Sequence, residues 1–190
     1  MKSPSPYLSD LARFLPLMTG EQMCRWYYAG DHKEMLRDLR KDAAREMISF
    51  STELIRERTE SDGAIVSIKS GQANRNPHQI AYLAAQRWSD RVTPKLIIRG
   101  TVKLASIFGG EVHTVAKATV SHECALADVF FSKRMTNPEF EWDLVRVRPG
   151  NGALPDAVTT TGMIEVIGRY NGNAVAGKLS LAATANLELW

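Results

Sequence analysis

The clearest alternation of apolar and polar positions runs from Lys95 to Val120. Leu96, Ile98, Val102 and Leu104 fall on one face; Lys95, Arg99 and Lys103 fall on the other, with Ile97 and Thr101 between them. A period of two with β-branched residues predicts a half-buried strand. Phe108-Gly109-Gly110 reads as a turn, and Val112, Thr114, Ala116, Ala118 and Val120 as the return strand. A three-residue turn places Lys103 opposite Lys117, keeps every charge in water and gives Gly110 the left-handed position. A two-residue Gly-Gly turn pairs Lys103 with Ala116 and turns Lys117 to the apolar face.

The wet face of this expected strand is cationic. At about 3.3 Å per residue, Lys95 and Arg99 stand roughly 13 Å apart, as do Arg99 and Lys103. That exceeds the screening length of about 8 Å at physiological salt. One small anion cannot bridge such charges, whereas a lipid surface or a nucleic-acid backbone can meet all three. A plain solvated strand face with no ligand is the alternative, since charged surfaces are the norm.

Elsewhere the pattern alternates between helix and strand periods. Pro4 and Pro6 keep the first residues out of a helix. Tyr7, Leu8, Leu11, Phe14 and Leu15 then recur at helical spacing, and Pro16 closes the run before Leu17. So short a helix is marginal alone. It must dock, either on its own domain or on a second copy as an exchanged arm over residues 1–18. Thr19 reads as an N-cap. Gly30 ends that helix, and Asp31 with Glu34 opens the next, which carries Met35, Leu36, Leu39, Ala43 and Met47. Its charges alternate in sign, so its polar side reads as solvated. Ile48, Phe50, Thr52 and Leu54 alternate as a strand, although Leu54 and Ile55 also fit a continued helix. Arg56–Gly63 is a polar turn and Ala64–Lys69 a second strand. Asn76-Pro77 opens a helix running towards Arg91.

After Val120, residues 125–131 form a short apolar segment. Trp142–Arg148 alternates again, Pro149–Asp156 is a loop, and Val158–Tyr170 is a strand. Asn171-Gly172 is a hairpin signal, with Ala174–Leu189 returning. The expected fold is α+β: N-terminal helices followed by a mainly antiparallel sheet with one inserted helix, in a single domain over residues 19–190.

Composition fits a packed domain: 190 residues, 44% hydrophobic and 24% charged, with a net charge of +3. The charge is uneven. Residues 61–118 hold eight basic and three acidic side chains, a net +5, and this group includes Lys69, Arg87, Arg91, Lys95, Arg99, Lys103 and Lys117. Those seven are the candidate anion-binding residues. Cys24 and Cys124 lack the spacing of a metal site or disulfide framework, so a reducing compartment is expected. No signal sequence is expected after Lys2, and no apolar run approaches the roughly 20 residues that span a bilayer.

His113, His122, Glu123 and Cys124 are the only cluster of catalytic residue types. A Cys124 nucleophile with His113 or His122 as base is one possible chemistry, but structural histidines are the more frequent case. No phosphate-cradling loop or nucleophile elbow is present. The cationic strand carries no interleaved aromatics for base stacking, which favours general electrostatic attraction over sequence reading. No cofactor and no small-molecule substrate are expected.

From Ala64 onward, the order of AIVSIKS, a helix with Trp88, KLIIRGTVKL, His122-Glu123-Cys124, SKRM and GMIEVIGRY resembles the core of rhabdovirus matrix proteins. The resemblance covers about the C-terminal two thirds and rests on element order. It implies a non-enzymatic peripheral protein that self-assembles beneath an envelope and links an anionic membrane to the viral ribonucleoprotein. It places the chain in the virion, the host cytoplasm and the inner membrane face. It also implies an N-terminal segment that docks on the next subunit, here Tyr7, Leu8, Leu11, Phe14, Leu15 and Leu17. Pro4-Ser5-Pro6-Tyr7 only approximates the Pro-Pro-x-Tyr motif of animal-virus members. The rival readings are a coat or nucleic-acid-packaging protein and a small Cys/His enzyme.

Overall fold

The computed structural model describes residues 4–59, 63–72, 74–145 and 154–190. Their order is α1 (Leu8–Arg13), β1 (Met18–Thr19), α2 (Gly20–Tyr27), α3 (His32–Ala44), β2 (Ile48–Arg58), β3 (Val66–Ile68), α4 (Pro77–Gln86), β4 (Trp88–Gly100), α5 (Val102–Phe108), α6 (Val120–Thr136), β5 (Asp143–Leu144), β6 (Ala157–Thr159), β7 (Gly162–Glu165), α7 (Gly172–Leu179) and β8 (Leu187–Leu189). The fold is α+β, as the pattern predicts. The chain divides into two compact units. Unit 1 holds Met1–Ile55 and Val92–Phe131; unit 2 holds Arg56–Arg91 and Ser132–Trp190.

In unit 1, β4 is the central strand of a sheet ordered β1-β4-β2. Met18 pairs with Ile98 and Thr19 with Ile97. Ile97 and Ile98 are both fully buried. The half-buried alternation is thus overturned at the centre of this strand, because a strand covered on both faces buries consecutive residues. Pro94 has no partner in β1, which pairs only with Ile97 and Ile98.

The expected hairpin is also overturned. Residues Val102–Phe108 are helical: Thr101 caps α5 by accepting from the Leu104 amide at 3.3 Å. Gly109, at φ 75°, ends it in the left-handed conformation, with its amide 2.9 Å from the Ala105 carbonyl. The glycines taken for a hairpin turn are therefore a helix stop. Lys103 rides on α5 and Lys117 begins a 3-10 turn, so the two do not face each other across a ladder.

The segment expected as an exchanged arm lies inside unit 1. Tyr7, Leu8, Leu11, Phe14, Leu15 and Leu17 are all buried. Leu17 packs with Ile55, Ile97, Val120 and Cys124, and Phe14 stacks on Phe130 at 5.6 Å. Amphipathic spacing shows that a helix must dock, not on which copy. Here its own chain covers it.

Several local signals act as predicted. Thr19 and Gln22 form a reciprocal capping box. Asp31 accepts from the Glu34 amide, and Asn76 caps α4 with Pro77 at its first position. Others act differently. Asn171 accepts from the Ala174 amide and caps α7, so the expected hairpin there is a helix start. Residues 125–131 belong to the 17-residue α6. The loop Pro149–Asp156 and the end of the expected strand Trp142–Arg148 fall largely outside the described residues.

In unit 2 the sheet runs β3-β8-β7-β6-β5, antiparallel except for β7 beside β8. Helices α4 and α7 cover it, enclosing Ile68, Ile80, Ala84, Val175, Leu179 and Leu187.

A Cβ added at Gly110 would lie 1.7 Å from the Ala12 carbonyl oxygen. Gly110→Ala is therefore expected to cost about 2 kcal/mol or more in urea unfolding. Gly109→Ala, strained only by its positive φ, should cost about 1 kcal/mol. Equal stability of Gly110→Ala and the unsubstituted chain would show that α1 does not dock beside Gly110.

Candidate functional site

Helix α3 presents a cationic face to water. Its apolar stripe is Met35 and Leu39, both buried. Asp42 lies on that stripe, one turn beyond Leu39, and Asp38 borders it. Both acids are spoken for. The Tyr7 hydroxyl donates to Asp42 Oδ2 at 2.9 Å, and the Tyr28 hydroxyl to Asp38 Oδ2 at 3.2 Å. Asp42 is 1% exposed. Glu34 is the one exposed carboxylate within the helix, and exposed Asp31 and Glu46 flank its two ends.

The opposite face holds Lys33, Arg37 and Arg40, with Lys41 at its margin and Arg45 at the C-cap. Lys33 to Arg40 spans about 10 Å along the axis. Arg37 pairs with Glu34 at 2.8 Å and Asp38 at 3.4 Å. Lys33, Arg40, Lys41 and Arg45 have no side-chain partner among the described residues. The cations at 41 and 45 also sit where the helix dipole favours them.

The seven cations selected from sequence are divided between the two units. Lys95, Arg99, Lys103 and Lys117 belong to unit 1; Lys69, Arg87 and Arg91 belong to unit 2. Three of the four in unit 1 meet carboxylates of their own chain. Lys95 lies 2.7 Å from Glu21, Arg99 lies 2.5 Å from Glu53, and Lys103 lies 3.4 Å from Glu46. In unit 2, the Arg87 guanidinium donates to the Gly63 carbonyl at 2.8 Å, while Lys69 and Arg91 are exposed.

Arg99 and Lys117 do come together. With Thr52, Glu53, Leu54 and Val115 they line an open depression of about 460 Å³. Burial works to raise the Glu53 carboxyl. Hydrogen bonds from Ser51 and Arg99, with the charges of Arg99 and Lys117, outweigh it and hold the group below the usual carboxylate range. Arg99 is therefore engaged with Glu53 over the ordinary pH range.

The Cys/His cluster lies on or near α6. Cys124 is buried, and burial, reinforced by Asp128, pushes its thiol far above the usual range. A thiol held protonated is a poor nucleophile. His122 Nδ1 lies 3.9 Å from Glu123. Among the described residues no group of His, Cys, Asp and Glu could hold a metal ion, and no helix is long and apolar enough to cross a membrane.

Comparison with protein-family models, curated proteins and solved structures finds no match. The functional reading therefore rests on the residues themselves.

The α3 surface was within reach of the sequence. Met35, Asp38, Leu39 and Asp42 recur at helical spacing, which puts two acids with the apolar stripe and leaves the cations outside. Counting charges without their helical phase hides this.

Two outcomes follow. Cys124 should resist iodoacetamide at neutral pH in the folded chain and react readily in denaturant; fast labelling of the native thiol would revive the enzyme reading. Burial and the neighbouring Asp42 and Asp38 also raise the Tyr7 and Tyr28 hydroxyls above their ordinary value of 10.0. Above pH 10 the unfolded chain releases these protons first, so stability should fall as pH rises. In Tyr7→Phe that alkaline decline should be shallower, and stability at neutral pH should drop by about 1–3 kcal/mol because the Asp42 carboxylate loses its donor.

Proposed function

We propose that this chain is a viral matrix protein of the rhabdovirus type. In this reading it is a non-enzymatic, peripheral, self-assembling protein that joins an anionic membrane surface to the viral ribonucleoprotein. The observation that carries the electrostatic half is the outer face of α3. Its cations face water while two of its three acids are turned to Tyr7 and Tyr28. The basic strand alone would not support it, because its charges are already met by Glu21, Glu53 and Glu46.

The magnitudes fit a reversible contact. Each cation near an anionic leaflet contributes about 1 kcal/mol. Lys33, Arg40, Lys41 and Arg45 together thus give a dissociation constant of roughly 1 mM for one copy. Useful retention then requires many copies on one surface, where linkage raises the apparent affinity by about 10²-fold or more. Weak single contacts and self-assembly are therefore parts of one mechanism. In the single chain the Tyr7–Leu17 segment is buried in its own unit, so exchange of that segment between copies would first have to undock it.

Liposome co-sedimentation tests the reading. The chain should pellet with vesicles containing phosphatidylserine at low salt, release at high salt, and ignore vesicles of phosphatidylcholine alone. The triple variant Lys33→Glu, Arg37→Glu, Arg40→Glu should lose at least tenfold in partitioning, while Lys95→Ala should change little. Retention of RNA at the same salt with no lipid binding would move the chain to the nucleic-acid-packaging class. Binding indifferent to lipid charge would remove the proposal.

A further inference from the structure

Unit 2 contains a half-open cavity of about 300 Å³ that the electrostatic reading does not use. It lies on the sheet where the β6–β7 turn, the start of β8 and the end of β3 meet. That volume is at the lower end of the range of about 300–1,000 Å³ for small-molecule sites.

The rim is tied in place. The Asn186 amide is used at both ends: Nδ2 donates to the Thr161 carbonyl at 2.9 Å, and Oδ1 accepts from the Ser70 amide at 3.1 Å. Gly162 is pressed so closely on β8 that a Cβ there would lie 2.6 Å from the Asn186 carbonyl oxygen. The Thr159 hydroxyl accepts from the amides of Thr161 and Gly162 at 3.2 and 3.1 Å. A rim fixed by its own bonds loses little entropy when a ligand enters.

The walls divide by chemistry. Ile164 and Phe140 are apolar lining, and Phe140 is braced edge-on against Trp142 at 5.8 Å. Lys133 is neutralised by Glu188 at 2.5 Å and sits 5.5 Å over the Trp190 ring. Lys69 is different: it lines the cavity, is exposed, and has no side-chain partner among the described residues. The cavity thus offers apolar lining, hydroxyl groups and one uncompensated ammonium.

We propose that this cavity binds a small amphipathic monoanion, its apolar body against Phe140 and Ile164 and its carboxylate at Lys69. A fatty-acyl carboxylate and an aromatic acid share that chemistry, and the test separates them. The full chain, labelled with ¹⁵N, is titrated with octanoate and with 4-phenylbutyrate, each beside its uncharged primary amide. Amide shifts should concentrate at Ser67, Thr159, Thr161, Gly162 and Met163. The better-bound acid identifies the source. Each carboxylate should bind about fivefold more tightly than its amide, the scale of one partly exposed ion pair. Lys69→Ala should erase that difference, and Lys69→Arg should keep it. Acid and amide of equal affinity, a Lys69→Ala variant that still prefers the acid, shifts scattered away from these residues, or no shifts at millimolar probe would each overturn the proposal.

Discussion

A carboxylate taken out of water must find a donor, and among the described residues the side chain of Asp42 finds one, the Tyr7 hydroxyl at 2.9 Å. Asp42 lies near the C-terminal end of α3, where the helix dipole disfavours negative charge. Neither burial nor position suits it, so the phenol is the compensation. The same bond fastens the N-terminal segment to α3 and sets the rotation of that helix about its axis. Tyr28 does the same one turn earlier through Asp38. With both acids turned inward, the helix has Lys33, Arg37 and Arg40 to show to water. The candidate surface is thus a by-product of how the core satisfies its buried charge.

The cations of β4 and its extension serve the opposite purpose. Lys95 ties the strand to α2 through Glu21, Arg99 ties it to β2 through Glu53, and Lys103 ties α5 to the residue range after α3 through Glu46. Of these, Arg99 with Glu53 is the best shielded, their side chains 22% and 16% exposed. The pairs that leave a partner in open water are worth at most about 1 kcal/mol each. A run of positive charge in a sequence can therefore be either a docking surface or a set of internal braces. The sign pattern of the strand alone does not separate the two, because the bracing carboxylates lie 46 to 74 positions away along the chain.

Legibility follows the same division between near and far. Thr19 with Gln22, Asp31 with Glu34 and Asn76 with Pro77 were readable because a cap is made within three or four residues. The α+β class was readable from the mixture of periods. Residues 101–120 were not, because Val102, Leu104 and two glycines satisfy a hairpin pattern and a capped helix equally well. The Thr101 side chain favours the helix: its hydroxyl donates to the Glu46 carbonyl and accepts from the Leu104 amide, while the Thr101 amide donates to the Met47 carbonyl. Asn171-Gly172 shows the same ambiguity, since an Asn that can enter a tight turn can also cap a helix. Ile97 and Ile98 misled for a further reason: no alternation survives where both faces are covered. The cavity in unit 2 had no signature at all, being assembled from three strand ends far apart in the chain.

The placement of β8 has a consequence for how unit 2 is born. This strand, Leu187–Leu189, lies between β3 and β7, and its partner residues in β3 begin at Val66. A nascent chain emerging from the ribosome can build α4 early, and it can form the β6–β7 hairpin as soon as both strands are out. It cannot join β3 to that hairpin until the last inserted strand arrives, more than a hundred residues after β3. Until then two exposed sheet edges wait for the same strand, the arrangement most open to capture by a chaperone or by a neighbouring nascent copy.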